Sequence, residues 1–145
     1  MKPILRLPSE ATGRIADAVA AAEQRTSAEV KVVVLGHCWT DIRTKAKALF
    51  YKYELHNTKD RNAVMILLVL ANREFLVYGD KGIHERAEEG FWLRVRDSMQ
   101  KKLFEGQLVE GILAGVEQVC EQLVKYFPRV EHDVNEISDE VVHED

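Results

Sequence analysis

Ala63-Val64-Met65-Ile66-Leu67-Leu68-Val69-Leu70-Ala71, followed by Asn72 and then Arg73-Glu74-Phe75-Leu76-Val77-Tyr78, is the stretch that decides the fold. Its nine apolar residues are far short of the roughly 20 that a membrane-spanning helix needs. Bounded by polar residues on both sides, the run reads as a strand buried on both faces. Ala71-Asn72 is a short turn, and the β-rich segment after it folds back as the second arm of a hairpin.

Upstream, Ala28 to Leu35 supplies Val30, Val32, Val33, Val34 and Leu35 and is closed by Gly36, a second buried strand. Between the two strands, Ile42, Ala46, Leu49, Phe50 and Tyr53 form a helical stripe, with Thr40 as the expected cap and Asp41 at the positive helix end. A strand-helix-strand unit of this kind makes its two strands parallel and its crossover right-handed. Further out, Ser9 is the expected cap of a first helix with Ile15, Val19 and Ala22 on one face, ending near Arg25. From about Ile83 one long helix carries Ala87, Phe91, Val95, Met99 and Leu103, and Glu105-Gly106 breaks it. A last helix carries Leu108, Ile112, Val116, Val119, Leu123 and Tyr126 and stops at Phe127-Pro128. The expected architecture is α/β: a three-layer helix-sheet-helix sandwich around a small mixed sheet.

The 145 residues suit one domain, here residues 1 to 130, followed by an acidic C-terminal tail from 131 to 145. The tail holds seven acids and no Lys or Arg, so the net charge of −4 leaves the remainder near +3. Val134, Ile137, Val141 and Val142 are the tail positions able to dock on a neighbour. Scattered basic residues without interleaved aromatics argue against a nucleic-acid partner. Pro3 and Pro8 interrupt the start before a secretory apolar core can form, so the expected setting is soluble and cytoplasmic, without direct membrane insertion. Cys38 and Cys120 lie far apart with no metal-knuckle spacing.

Parallel strands and a hairpin bring distant polar groups to one sheet edge: Thr26, Ser27 and Glu29 before and in the first strand, Asp60 and Asn62 before the second, Asp80 after the third. Clustered carboxylates repel, so such an edge calls for a cation, a basic partner or a retained proton. All the donors are oxygens, the preference of Ca²⁺ or Mg²⁺. Arg61 and Lys81 stand next to the two aspartates, which leaves a second reading in which Asp60 and Asp80 cap turns and pair with those bases. At the opposite edge His37 and Cys38 are adjacent in sequence, which is not the spatial pairing of a catalytic dyad. Gly79-Asp80-Lys81-Gly82 lacks phosphate-loop spacing, His84-Glu85 lacks a second His, and Phe91-Trp92 reads as core.

Thr26-Ser27-Ala28-Glu29-Val30, Thr58-Lys59-Asp60-Arg61-Asn62-Ala63-Val64, Arg73-Glu74-Phe75, Gly79-Asp80-Lys81-Gly82-Ile83, Phe104-Glu105-Gly106-Gln107-Leu108 and Gly111-Ile112 together resemble the TPM domain, the family of thylakoid acid phosphatase, photosystem repair and receptor-auxiliary proteins. The resemblance covers residues 9 to 128 and implies a short, soluble branch. It also implies divalent-cation binding at the loop edge, Ca²⁺ or Mg²⁺ held by Asp60, Asp80, Asn62 and Glu29, with Arg61, Lys81, Ser27 and Thr26 supporting. Many members have Asp-Asn-Gly before the central strand; here Arg61 separates Asp60 from Asn62, and Ala63 takes the Gly place. The function implied is that of a cation-binding, protein-interaction module linked to membrane-protein maintenance, with a LemA-type membrane protein as a conceivable partner. The alternative is a metal-dependent phosphomonoester hydrolase of low activity.

Overall fold

The computed structural model describes residues 6–129 and 140–144. The run at 63 becomes β2 (Ala63–Val69), paired in parallel with β1 (Glu29–Leu35) and antiparallel with β3 (Glu74–Gly79). A short β4 (Val142–Glu144) adds in parallel to the far side of β1, giving the order β3-β2-β1-β4. Every residue of β1 and β2 is buried, as continuous apolar runs require; β3, at the sheet edge, is half-exposed along most of its length. The tail thus supplies a strand through Val142, and Val141 packs on the core. Val134 and Ile137 lie outside the described residues.

Alternation along the strands divides the core into two. Val30, Val32 and Val34 of β1 with Val64, Ile66 and Leu68 of β2 face α1 (Ser9–Glu23), α4 (Phe91–Phe104) and α5 (Leu108–Tyr126). Val33 and Leu35 with Ala63, Met65, Leu67 and Val69 face α2 (Ile42–Lys52) through Ala46, Leu49 and Phe50. The helix-sheet-helix sandwich follows from a sheet that must cover two apolar faces.

Three local expectations shift. Pro8, not Ser9, precedes the first helical residue, and no side chain caps α1. Asp41, not Thr40, caps α2 by accepting from the Thr44 amide at 3.3 Å. The single long helix is two: α3 (Lys81–Arg86) ends at Ala87, whose φ of −73° and ψ of 144° are extended, and α4 begins after Gly90. Gly90 is a poor helix former, and the Glu88 amide donates to the Tyr126 hydroxyl at 3.1 Å rather than continuing the helix. The break lets α3 stay at the sheet edge while α4 turns to lie along α5.

Candidate functional site

The expected convergence at the amino edge of β1 and β2 is present in the register. Glu29 stands opposite Ala63, and the Asp80 amide donates to the Ala63 carbonyl at 3.0 Å. Glu29 and Asp80 therefore flank Ala63 on one face, two strand spacings or roughly 10 Å apart at Cα. The loops carrying the remaining residues are clamped together: the Gly82 amide donates to the Arg61 carbonyl at 2.9 Å. A Cβ on Gly82 would lie 2.2 Å from the Asp60 carbonyl oxygen and 2.6 Å from that of Arg61, so only glycine permits this approach.

Within that clamp Arg61 and Asp80 form a two-pronged ion pair. Arg61 Nε donates to Oδ2 at 2.6 Å and Nη2 to Oδ1 at 2.8 Å. Oδ1 also accepts from the Lys81 amide at 2.8 Å, which makes Asp80 the cap of α3. Arg61 reaches this position with a left-handed backbone, φ of 49°, directly after the Thr58–Asp60 turn. Hydrogen bonding to Asp80 is the main cause that raises the Arg61 pKa further above its ordinary value. Asp80 is buried, while Asp60 and Lys81 are exposed.

Of the other expected residues, Asn62 and Glu29 are buried, and Thr26 and Ser27 bond elsewhere. Asn62 is buried, and its backbone N–H donates to Thr58 Oγ1 at 3.2 Å. Thr26 Oγ1 donates to the Phe127 carbonyl, which also accepts from the Ser27 amide at 2.9 Å, so both residues tie the start of β1 to the end of α5. Glu29 is buried on the α2 face of β1. At the opposite edge His37 stacks on Trp39 with ring centroids 5.0 Å apart, and Cys38 Sγ donates to the Thr40 carbonyl at 3.2 Å. The two side chains thus have separate partners.

The arrangement around Asp80 suits a guanidinium better than a metal ion. The planar fork of Arg61 matches the carboxylate geometry and uses both oxygens. A divalent ion brought to the same oxygens would face that fixed positive charge. Among the described residues, no group of three or more His, Cys, Asp or Glu is placed to hold a metal. Asp80 thus both pairs with Arg61 and caps α3.

A feature that the sequence did not announce lies along β3. A groove of about 680 Å³ runs between Phe75, Val77 and Gly79 of the strand, Trp92, Leu93, Arg96 and Gln100 of α4, and Arg43 of α2. Trp92 closes one end, since a Cβ on Gly79 would lie 2.4 Å from its indole ring, and the His84 ring stands 5.1 Å from it. Phe91 is core as expected, but its half-buried neighbour Trp92 also forms a wall of this groove. The only sequence hint was the thinner apolar character of the third strand.

A family model for the TPM domain, TPM_phosphatase, matches residues 6–122. Among solved structures, the BA42 protein of the psychrophilic bacterium Bizionia argentinensis is similar, with a TM-score of 0.90 and 30% identity over 95% of each chain. The N-terminal domain of a protein from P. gingivalis shares the fold with a TM-score of 0.70 and 21% identity, over 87% of this chain and 83% of that one. The N-terminal domain of cg2496 from Corynebacterium glutamicum does so at 0.58 and 16%, over 81% and 74%. No curated protein matches the chain. With the family model spanning most of its length, the chain belongs to the TPM domain family.

Proposed function

We propose that this chain is a non-catalytic, protein-binding TPM domain in which an internal ion pair takes the structural place expected of a divalent cation. The observation that carries the reading is the Arg61–Asp80 fork. A metal-dependent phosphatase would need Asp80 to hold an ion that activates water and polarises the phosphoryl group. Here the carboxylate is already neutralised and also caps α3, so recruiting an ion costs the pair and strains the clamp around Gly82. Binding asks less: a rigid loop pair and the accessible groove beside β3 suffice. The LemA-type membrane partner implied by the resemblance, and the cytoplasmic setting, belong to this same proposal. No helix among the described residues is long and apolar enough to cross a membrane.

The test is thermal unfolding of chelator-treated protein with and without Ca²⁺ and Mg²⁺, together with an aryl-phosphate hydrolysis assay. An ion bound at 100 times its dissociation constant adds about 2.7 kcal/mol, which moves the midpoint by roughly 5–10 °C. The expected result is no such shift and no turnover. Metal-dependent turnover that disappears in Asp80→Asn would overturn the reading in favour of the phosphatase.

A further inference from the structure

The strand order leaves β3 at the sheet edge. Its hydrogen-bonding parity follows from the Asp80 amide bonding to Ala63: in an antiparallel ladder, alternate residues bond inward. Tyr78 and Leu76 therefore point their N–H and C=O groups at β2, and the Glu74 amide donates to Asn72 Oδ1 at 3.2 Å in the turn, while Phe75, Val77 and Gly79 point theirs outward. An outward row of this kind is a template for another strand, and proteins usually guard it with charge, bulges or a covering element. Among the described residues no strand lies beyond β3.

The groove fits an added strand in length and shape. Phe75 to Gly79 spans roughly 13 Å, and Trp92 to Gln100 along α4 spans roughly 12 Å. A strand beside β3 would set alternate side chains over Trp92 and Leu93 on one face and toward Arg43 on the other. Leu93, 51% exposed, adds an apolar side chain to the helix wall of the groove.

Charge selects the occupant. The groove is lined by Arg43, Arg96 and His84 and by no Asp or Glu, on a chain of net charge −4. Among the described residues Arg43 makes no ion pair, and Arg96 pairs only with the neighbouring exposed Asp97 at 3.3 Å. A second copy joined edge to edge about a two-fold axis would bring Arg43 toward Arg43 and Arg96 toward Arg96. That like-charge opposition disfavours self-pairing.

We propose that the β3 edge is a strand-addition site for an extended segment of a partner protein, with apolar side chains at alternate positions and carboxylates between them. The inference rests on the reading of the chain as a binding domain, and the two fail separately. Metal-dependent phosphatase turnover sinks that reading, whereas an unoccupied β3 edge sinks only the site proposed here.

The probe is the peptide acetyl-Glu-Val-Glu-Val-Glu-Val-Glu-amide, with its Lys-for-Glu counterpart as control. Amide hydrogen exchange is followed residue by residue. At saturation, exchange at Phe75, Val77 and Gly79 should slow at least tenfold, while Leu76 and Tyr78, already bonded to β2, stay unchanged. The double substitution Arg43→Glu, Arg96→Glu should weaken binding at least tenfold. Val77→Pro, which removes an outward N–H and spares the β2 ladder, should abolish it. The proposal is overturned if no β3 amide is protected, or if the lysine peptide protects equally. It is also overturned if these amides become protected with rising protein concentration alone, which would make a second copy the occupant.

Discussion

Replacing Gly82 by alanine tests the clamp that builds the loop edge. The new methyl carbon would sit 2.2 Å from the Asp60 carbonyl oxygen and 2.6 Å from that of Arg61. Both are backbone atoms, so no side chain can swing aside. To restore even 3.0 Å, the 60–61 turn must retreat by about 0.8 Å. That movement lengthens the 2.9 Å bond from the Gly82 amide to the Arg61 carbonyl beyond a useful range and pulls the guanidinium off Asp80. Overpacking of this kind costs roughly 1–3 kcal/mol and the lost hydrogen bond about 1 more, so the variant should lose about 2–4 kcal/mol. At about 2–4 °C per kcal/mol for a chain of this size, the midpoint should fall by roughly 5–15 °C. Thermal unfolding by circular dichroism is the assay, with Gly13→Ala as its partner. Gly13 lies inside α1, where a Cβ meets nothing within 4 Å, so alanine there should stabilise by about 0.5–1 kcal/mol through helix propensity. A Gly82→Ala midpoint within a degree of wild type, or a fall in both variants, would refute the reasoning.

Two further outcomes concern the strand contributed by the C-terminal segment, where Lys52 and the Tyr53 hydroxyl both donate to the Glu144 carboxylate. Burial, and then that hydrogen bond, push the Tyr53 hydroxyl up from 10.0 to about 12. A spectrophotometric titration should therefore show the Tyr53 hydroxyl ionising near pH 12. Glu144→Gln should bring it partway back, and a titration curve that this substitution leaves unchanged refutes the contact. The stability contributed by this raised group is present below pH 10 and lost as pH rises through about 12. The hydrogen bond from Lys52, then that from Tyr53, lower the Glu144 carboxyl below its ordinary 4.5, so its contribution is present above that value and lost as pH falls through the lowered one. Amide exchange at Val142–Glu144, corrected for intrinsic rates, should accelerate selectively in that acid window; uniform acceleration across β1 and β4 would refute it.

The layers and element types of this protein were decided by the sequence itself, because they depend on spacing along the chain. Val30 to Leu35 and Ala63 to Leu70 can satisfy their side chains only between two apolar layers, and the every-fourth stripes of the helices supply those layers. Even the meeting of Glu29, Ala63 and Asp80 at one edge follows from a parallel pair plus a hairpin. Only the tertiary structure decided which partner each polar group takes. The break between α3 and α4 depends on a Tyr126 hydroxyl 38 positions from Glu88, and the residue pattern through Ala87 does not register it. Arg61 reaches Asp80 only because its left-handed backbone and the Gly82 amide hold two loops in one register, a geometry sequence spacing cannot express. The groove beside β3 is likewise a property of strand order: whether a strand sits at an edge is fixed by what pairs with it, and that choice is made between segments rather than within one.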